Sequence, residues 1–143
     1  MILISHRGNT SGKIPHLEND HDYIKNAIHL GYEVEIDVWY KNGFWLGHDN
    51  PEYETTIDFL LTNADKLWCH AKNIEAMVEM KKEKSINCFW HQTDDITLTS
   101  KGYIWAYPGK QPIQNSIAVM PEMYNDNLTN CIGICSDYIE DYK

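Results

Sequence analysis

Tyr32-Glu33-Val34-Glu35-Ile36-Asp37-Val38 decides how the rest of the chain is read. Acid and aliphatic residues alternate here. On a strand, where successive side chains point to opposite faces, Glu33, Glu35 and Asp37 share one face and Val34, Ile36 and Val38 the other. The aliphatic face asks for a packed layer. The acidic face has two readings. It is open to solvent, or it is enclosed, and enclosed like charges repel unless a cation or basic side chains sit among them. Hard divalent metals favour such oxygen ligands.

Working outward, Ile2 to Ser5 and Leu67 to His70 are short runs of the same kind, rich in aliphatic and aromatic residues. Asp22 to Leu30, stopped by Gly31, reads as a helix, as do Thr56 to Asn63 and Asn73 to Glu83, the last with Ile74, Met77 and Val78 on one face. Alternating strand and helix points to parallel βα units. Further strands are expected at Cys88 to His91, Tyr103 to Ala106, Ser116 to Met120 and Cys131 to Cys135, with Phe44 to Gly47 as an extra one. After Lys84 the helical patterns stop, and loops carrying Pro108, Gly109, Pro112 and Pro121 take their place. A full eight-unit barrel takes about 250 residues and rarely fewer than about 200. At 143 residues the choice lies between a trimmed barrel and an open sheet. The expectation is an α/β chain forming a minimal TIM-type (β/α) barrel as one domain over 1–143, with several outer helices missing, especially in the second half.

The formal charge of −9 argues against nucleic acid, whose phosphates are met by an excess of Lys and Arg. Apolar runs such as Ile57 to Leu61 are too short to span a bilayer, and Met1 to His6 carries neither a basic region nor a cleavage site. A soluble, cytoplasmic protein without membrane insertion is expected. Cys69, Cys88, Cys131 and Cys135 lack CxxC spacing and read as buried thiols.

His6-Arg7-Gly8 directly follows the first strand, at the carboxyl end where ligands of parallel β/α proteins bind. Arg7 offers a planar fork for phosphate oxygens, Gly8 lets the backbone approach, and His6 moves a proton near neutral pH. Gly47-His48-Asp49 places a second proton carrier at another strand end. In Trp68-Cys69-His70-Ala71-Lys72, period two puts His70 and Lys72 on one face, a candidate metal ligand beside a cation able to neutralise phosphate or hold Glu35 charged. His91 is a fourth strand-end histidine. Trp105 and Tyr107 add an aromatic wall.

Read together and in order, His6-Arg7-Gly8, Leu17-Glu18-Asn19, Glu35-Ile36-Asp37-Val38 and Gly47-His48-Asp49 resemble the opening of glycerophosphodiester phosphodiesterases, of the phospholipase C-like superfamily. The likeness covers roughly the first 75 residues well. It implies His6 and His48 as general acid and base, Arg7 and Lys72 on the phosphate, and Glu35 and Asp37 on a divalent cation. It also implies a substrate-side or loop-bracing role for Glu18; His91 and Trp105 are added from their own positions as candidates facing substrate, although aromatics at such spacings more often pack in a core. Two positions depart from the family pattern. Asp20 stands for its threonine, and His70 stands where its third metal ligand is a glutamate. An imidazole in the cage lowers its negative charge and adds a nitrogen donor, which disfavours calcium and favours magnesium, manganese or a later transition metal.

The expected activity is hydrolysis of a small-molecule or polymeric phosphodiester, through a cyclic phosphate formed by the substrate's own hydroxyl. The rivals are a lyase that stops at the cyclic product and a non-catalytic phosphate-binding module. Missing outer helices leave apolar strand faces needing cover, so a homo-oligomer is expected.

Overall fold

Capping side chains start each α-helix where the sequence pattern has it. In the computed structural model, which describes residues 1–143, Asp20 accepts from the backbone of Asp22 and Tyr23 to open α1 (His21–His29). Thr56 opens α2 (Ile57–Thr62) and Asn73 opens α3 (Ile74–Met80) in the same way. Strands β1 (Ile2–His6), β2 (Glu33–Tyr40), β3 (Phe44–Leu46), β4 (Tyr53–Glu54) and β5 (Leu67–Ala71) alternate with these helices. Beyond them come β6 (Asn87–Phe89), β7 (Ile96–Leu98), β8 (Ile104–Ala106), β9 (Ser116–Val119) and β10 (Gly133–Ser136), with only two 3-10 turns, Pro121–Met123 and Ile139–Tyr142. No helix is long and apolar enough to cross a membrane.

The fold is mixed α/β, built on one curled sheet. Parallel ladders run in the order β6-β5-β2-β1-β10-β9-β8. The β3–β4 hairpin adds antiparallel to β2, and β7 adds antiparallel to β8. The curl brings the ends together: Phe89 on β6 meets Trp105 on β8 with ring centroids 4.7 Å apart. No ladder joins β6 to β8. Instead, the chain around β7 bridges the seam, with Ser100 N donating to Cys88 O at 2.8 Å, Cys88 N to Ser100 Oγ at 2.9 Å, and Thr97 Oγ1 to Trp90 O at 2.8 Å. Neither β4 nor β7 is legible as a strand in the sequence, since two or three residues carry too little pattern.

Both faces of β2 are enclosed. Val34, Ile36 and Val38 pack outward with Leu67, Cys69 and Cys88 against Ile24, Ala27, Leu60, Ala76 and Met80 of the helices. Inside the curl, Ile4, Trp68, Phe89, Trp105, Ile117 and Cys135 form an apolar plug. Its register puts the polar layer above: His6 pairs in the ladder with Glu35, and Asp37 with His70. A third cluster, with Tyr32, Ala118, Ile134 and Ile139, covers the outside of the second half without an α-helix. All four cysteines are free and buried, and burial raises their thiols, so they pack as small apolar groups.

The face expected of α3 is corrected. Ala76 and Met80 are its buried residues, whereas Ile74 and Val78 are exposed. The Asn73 cap sets the rotation: its Oδ1 also takes Tyr40 N and its Nδ2 donates to Tyr40 O. These bonds fix the helix start against β2, and the small Ala76 then permits close approach to the sheet.

Candidate active site

Each group in the polar layer is held by local chemistry at the carboxyl ends of the parallel strands. Beyond His6 the chain turns sharply, with Arg7 at φ 59° and Gly8 at φ 98°. A Cβ on Gly8 would lie 2.5 Å from the Tyr23 ring, so only glycine fits there. Arg7 in a left-handed conformation costs of order 1–3 kcal/mol. The turn is stabilised by Arg7 N donating to Glu35 O at 2.9 Å and Asn19 N to Arg7 O at 3.1 Å.

The acidic face of β2 is enclosed rather than solvated: Glu35 is 3 % exposed and Asp37 0 %. Arg7 sits over Asp37 with Nε 3.1 Å from Oδ2, close enough for charge attraction but out of line for a hydrogen bond. Asn19 clasps Asp37 from behind, donating Nδ2 to Oδ2 and accepting the Asp37 N–H, both at 2.9 Å. His70 Nδ1 stands 3.6 Å from Glu35 Oε2 and 3.5 Å from Asp37 Oδ1. Its Nε2 meets the His91 carbonyl at 2.7 Å. A carbonyl only accepts, so Nε2 carries a proton and Nδ1 faces two carboxylates. The Nδ1 lone pair and the two carboxylates thus face one another across a gap that a metal ion between them would fill.

Burial pushes the Glu35 carboxyl up, but His70 at its side and the charges of His6 and Arg7 outweigh burial and draw it down to about 2. Burial, reinforced by the neighbouring Glu35 charge, holds Asp37 above the usual carboxylate range. Glu35 Oε1 and Asp37 Oδ1 are buried without a hydrogen-bond partner, and Glu35, Asp37 and His70 can each offer one ligand atom, all within 4.8 Å of one another. Two orphaned anionic oxygens and an imidazole nitrogen fit a divalent cation.

Across β1, His6 Nδ1 lies 2.7 Å from Asp137 Oδ1, which fixes the proton on Nδ1 and leaves Nε2 3.8 Å from Glu35. Burial disfavours the imidazolium, but the hydrogen bond to Asp137 and the Glu35 charge raise the His6 pKa above its ordinary 6.5. Burial likewise opposes ionisation of Asp137, yet His6 holds its carboxyl below the usual range. The pair therefore has a stability window. The raised His6 contribution is complete below the unfolded value near 6.5 and is lost as pH rises through the folded pKa. The lowered Asp137 contribution is present above its unfolded value near 3.8 and is lost as pH falls through the folded pKa. In chelator, the melting-temperature gap between the native protein and His6→Gln is expected to be widest between these limits and to close on both sides. A gap independent of pH contradicts the pair.

His48 follows Gly47 at φ 153°, where a Cβ would fall 2.0 Å from Asn50 O. Gly47 N donates to Asp37 O at 3.1 Å and Gly47 O accepts Trp39 Nε1 at 2.7 Å, which ties the loop to β2. His48 Nδ1 lies 2.8 Å from Asp49 Oδ1, a contact between exposed chain neighbours, unlike the enclosed His6–Asp137 pair. Gly47→Ala is expected to cost more than about 1 kcal/mol and to displace His48, read as a lower melting temperature.

His6, Arg7, Glu35, His48, His70, Lys72, His91 and Trp105 line one cavity of about 360 Å³, with Gln92, Tyr107, Pro108 and Val119 completing its wall. This is a small-molecule size. A groove of about 370 Å³ between the β3–β4 hairpin and α3 gathers no comparable set; Tyr40, Phe44, Thr56 and Glu79 are among its walls. Asp37 lies beneath the cavity floor. Glu18 lies behind Arg7, not in the cavity: it accepts Arg7 Nη1 at 3.1 Å and Asn9 Nδ2 at 2.9 Å, so both oxygens brace the turn. Lys72 reaches the cavity wall without pairing with Glu35, whose nearest basic side chains are the rings of His6 and His70. Trp105 is part of the floor and largely buried, while the His91 ring is tied to the Asp94 carbonyl at 2.7 Å.

Sequence reading missed Asp137, Asn9 and the holding role of Asn19. Asp137 follows β10 by one residue, the same strand-end rule that singles out His6. Asn9 Nδ2 joins Asp137 at 2.8 Å to Glu18, so the two ends of the chain share one buried network. Comparison with protein-family models, curated proteins and solved structures finds no match for this chain.

Proposed function

We propose that this chain is a metal-dependent phosphodiester hydrolase acting on a glycerophosphodiester-like or related alcohol or sugar phosphodiester, on a minimal TIM-type barrel with several outer helices missing, especially in the second half. The observation that carries it is the convergence on one cavity of two histidines each beside a carboxylate, an arginine, a lysine, and Glu35 and His70 of a Glu-Asp-His group whose Asp37 lies just beneath. The resemblance to glycerophosphodiester phosphodiesterases adds support. Its departure at Asp20 is benign for the fold, because the residue serves as the α1 cap, a task threonine also performs.

Glu35, Asp37 and His70 would hold the ion. A bound divalent cation supplies positive charge against the non-bridging phosphate oxygens and lowers the pKa of an attacking hydroxyl. Arg7, already braced by Glu18, presents its guanidinium at the cavity wall, and Lys72 adds a second positive group in a chain that is acidic overall. His6 and His48 each have Nδ1 committed to a carboxylate, which leaves Nε2 for proton transfer. One takes the proton from the substrate hydroxyl as its oxygen bonds to phosphorus. The other protonates the leaving alkoxide as its bond to phosphorus breaks, giving a cyclic phosphate. In the second half the roles reverse: water loses a proton to the group that had acted as acid and opens the ring.

The nitrogen ligand sets the metal preference. Manganese, magnesium or a later transition metal is expected to support turnover better than calcium in a metal titration. Calcium acting best, with manganese and zinc inert, contradicts this. Phosphorus NMR of the product separates hydrolase from lyase: the expected final signal is a phosphomonoester, and a persistent cyclic phosphate overturns the hydrolytic second step.

A further inference from the structure

The segment after β6 contains no helix, yet it is tightly tied. Trp90 O accepts Thr97 Oγ1 at 2.8 Å, and Asp95 O accepts Tyr107 N at 2.9 Å, so both flanks are anchored to the β7–β8 hairpin. Between them His91 is buried, its ring edge-on to Tyr107 with centroids 5.8 Å apart. Its Nε2 donates to Asp94 O at 2.7 Å, which closes the turn on itself. The carbonyl of the same residue accepts from His70 Nε2 at 2.7 Å. His70 in turn lies flat on Phe89, with centroids 5.0 Å apart and planes 16° apart. A stacked face and one fixed hydrogen bond leave the His70 ring a single orientation, with Nδ1 turned to Glu35 and Asp37.

We infer that His91 is a positioning residue for the metal: its ring clamps the 91–94 turn so that its own carbonyl fixes His70 as the Nε2–H tautomer and makes Nδ1 the ligand atom. This rests on reading Glu35, Asp37 and His70 as the metal site. Outer partners of this kind orient metal-bound imidazoles, and their loss typically weakens metal binding about 10–100-fold. A carboxylate in place of His70 would need no such partner, because either oxygen serves; an imidazole must present one chosen nitrogen. The same turn carries Gln92 in the cavity wall, so the clamp also sets the edge of the substrate space.

The test combines manganese binding by calorimetry on the full chain with nitrogen NMR of the histidine rings in metal-free native protein. His91→Ala is expected to bind manganese about 10–100-fold more weakly. His91→Gln, whose amide N–H reaches for the Asp94 carbonyl, is expected to recover most of the affinity. The spectrum is expected to show His70 protonated at Nε2. Native-like affinity in a folded His91→Ala, or His70 protonated only at Nδ1, overturns the inference. If His91→Ala does not fold, His91→Gln and the spectrum decide: a Gln variant that folds but binds no better than His70→Ala also overturns it. No manganese binding by the native protein overturns the metal-site reading instead, and the metal-free spectrum still judges the role of His91.

Discussion

Replacing His6 by alanine is expected to lower kcat toward a glycerol aryl phosphodiester by about 10²–10⁴-fold, the range a positioned acid or base contributes. KM should change little, because Arg7 and the Glu-Asp-His cage remain to bind the phosphate. His48→Ala is expected to behave alike, since its Nδ1 is likewise committed to a carboxylate. Asp137→Asn keeps the shape of the His6 contact but not its charge, so it is expected to lower kcat and to bring the His6 pKa down. Steady-state kinetics of the three variants check this. Full activity in His6→Ala and His48→Ala assigns the histidines a structural role only and favours a phosphate-binding module.

The second large effect concerns stability. Arg7 is the one arginine of the chain and the only fully charged cation placed against the buried acids, touching Asp37 at 3.1 Å and Glu18 at 3.1 Å. Arg7→Met removes it while preserving much of the volume, and leaves anionic groups buried without compensation. Breaking a buried pair in this way costs about 3–5 kcal/mol. A divalent cation between Glu35, Asp37 and His70 offsets part of that loss by mass action on the folded state. The melting temperature of Arg7→Met in chelator is therefore expected to fall well below that of the native protein, and manganese should raise it by more than it raises the native value. An unchanged melting temperature in chelator would mean that the acids do not depend on Arg7.

The inward acids illustrate what was legible in the sequence. Alternation in residues 33–38 sorted Glu35 and Asp37 from Val34, Ile36 and Val38 correctly, because strand geometry is local. Enclosure of the acidic side was not local: it depends on β1 and β5 flanking β2 and on the curl that brings β8 across to β6. His6, Arg7, His70 and Lys72 are legible because strand ends in a parallel sheet converge, whereas His48 reaches the cavity from the end of the antiparallel β3. Asp137 obeys the same rule but stands alone at the far end of the chain, without a motif to draw attention. The α3 face departs from its hydrophobic pattern for a different reason. Ile74 and Val78 are the more hydrophobic pair, but the Asn73 clasp on Tyr40 decides the helix rotation, and a residue 33 positions away leaves no periodic signal. Glu18 illustrates a further gap. A carboxylate near an arginine reads equally well as a ligand for substrate or as a brace, and only the geometry of both its oxygens, one on Arg7 and one on Asn9, separates them.

The claim that unites the site is cation-dependent cleavage of a phosphodiester in the cavity under His6 and His48. The direct measurement is turnover of a glycerol aryl phosphodiester, which carries the attacking hydroxyl, by the native protein across magnesium, manganese, cobalt, zinc and calcium, each with and without chelator. The expected result is turnover that appears with at least one of the first four ions, exceeds that with calcium, and disappears on chelation. Turnover undiminished by chelator, or none with any of the five ions, would contradict the account.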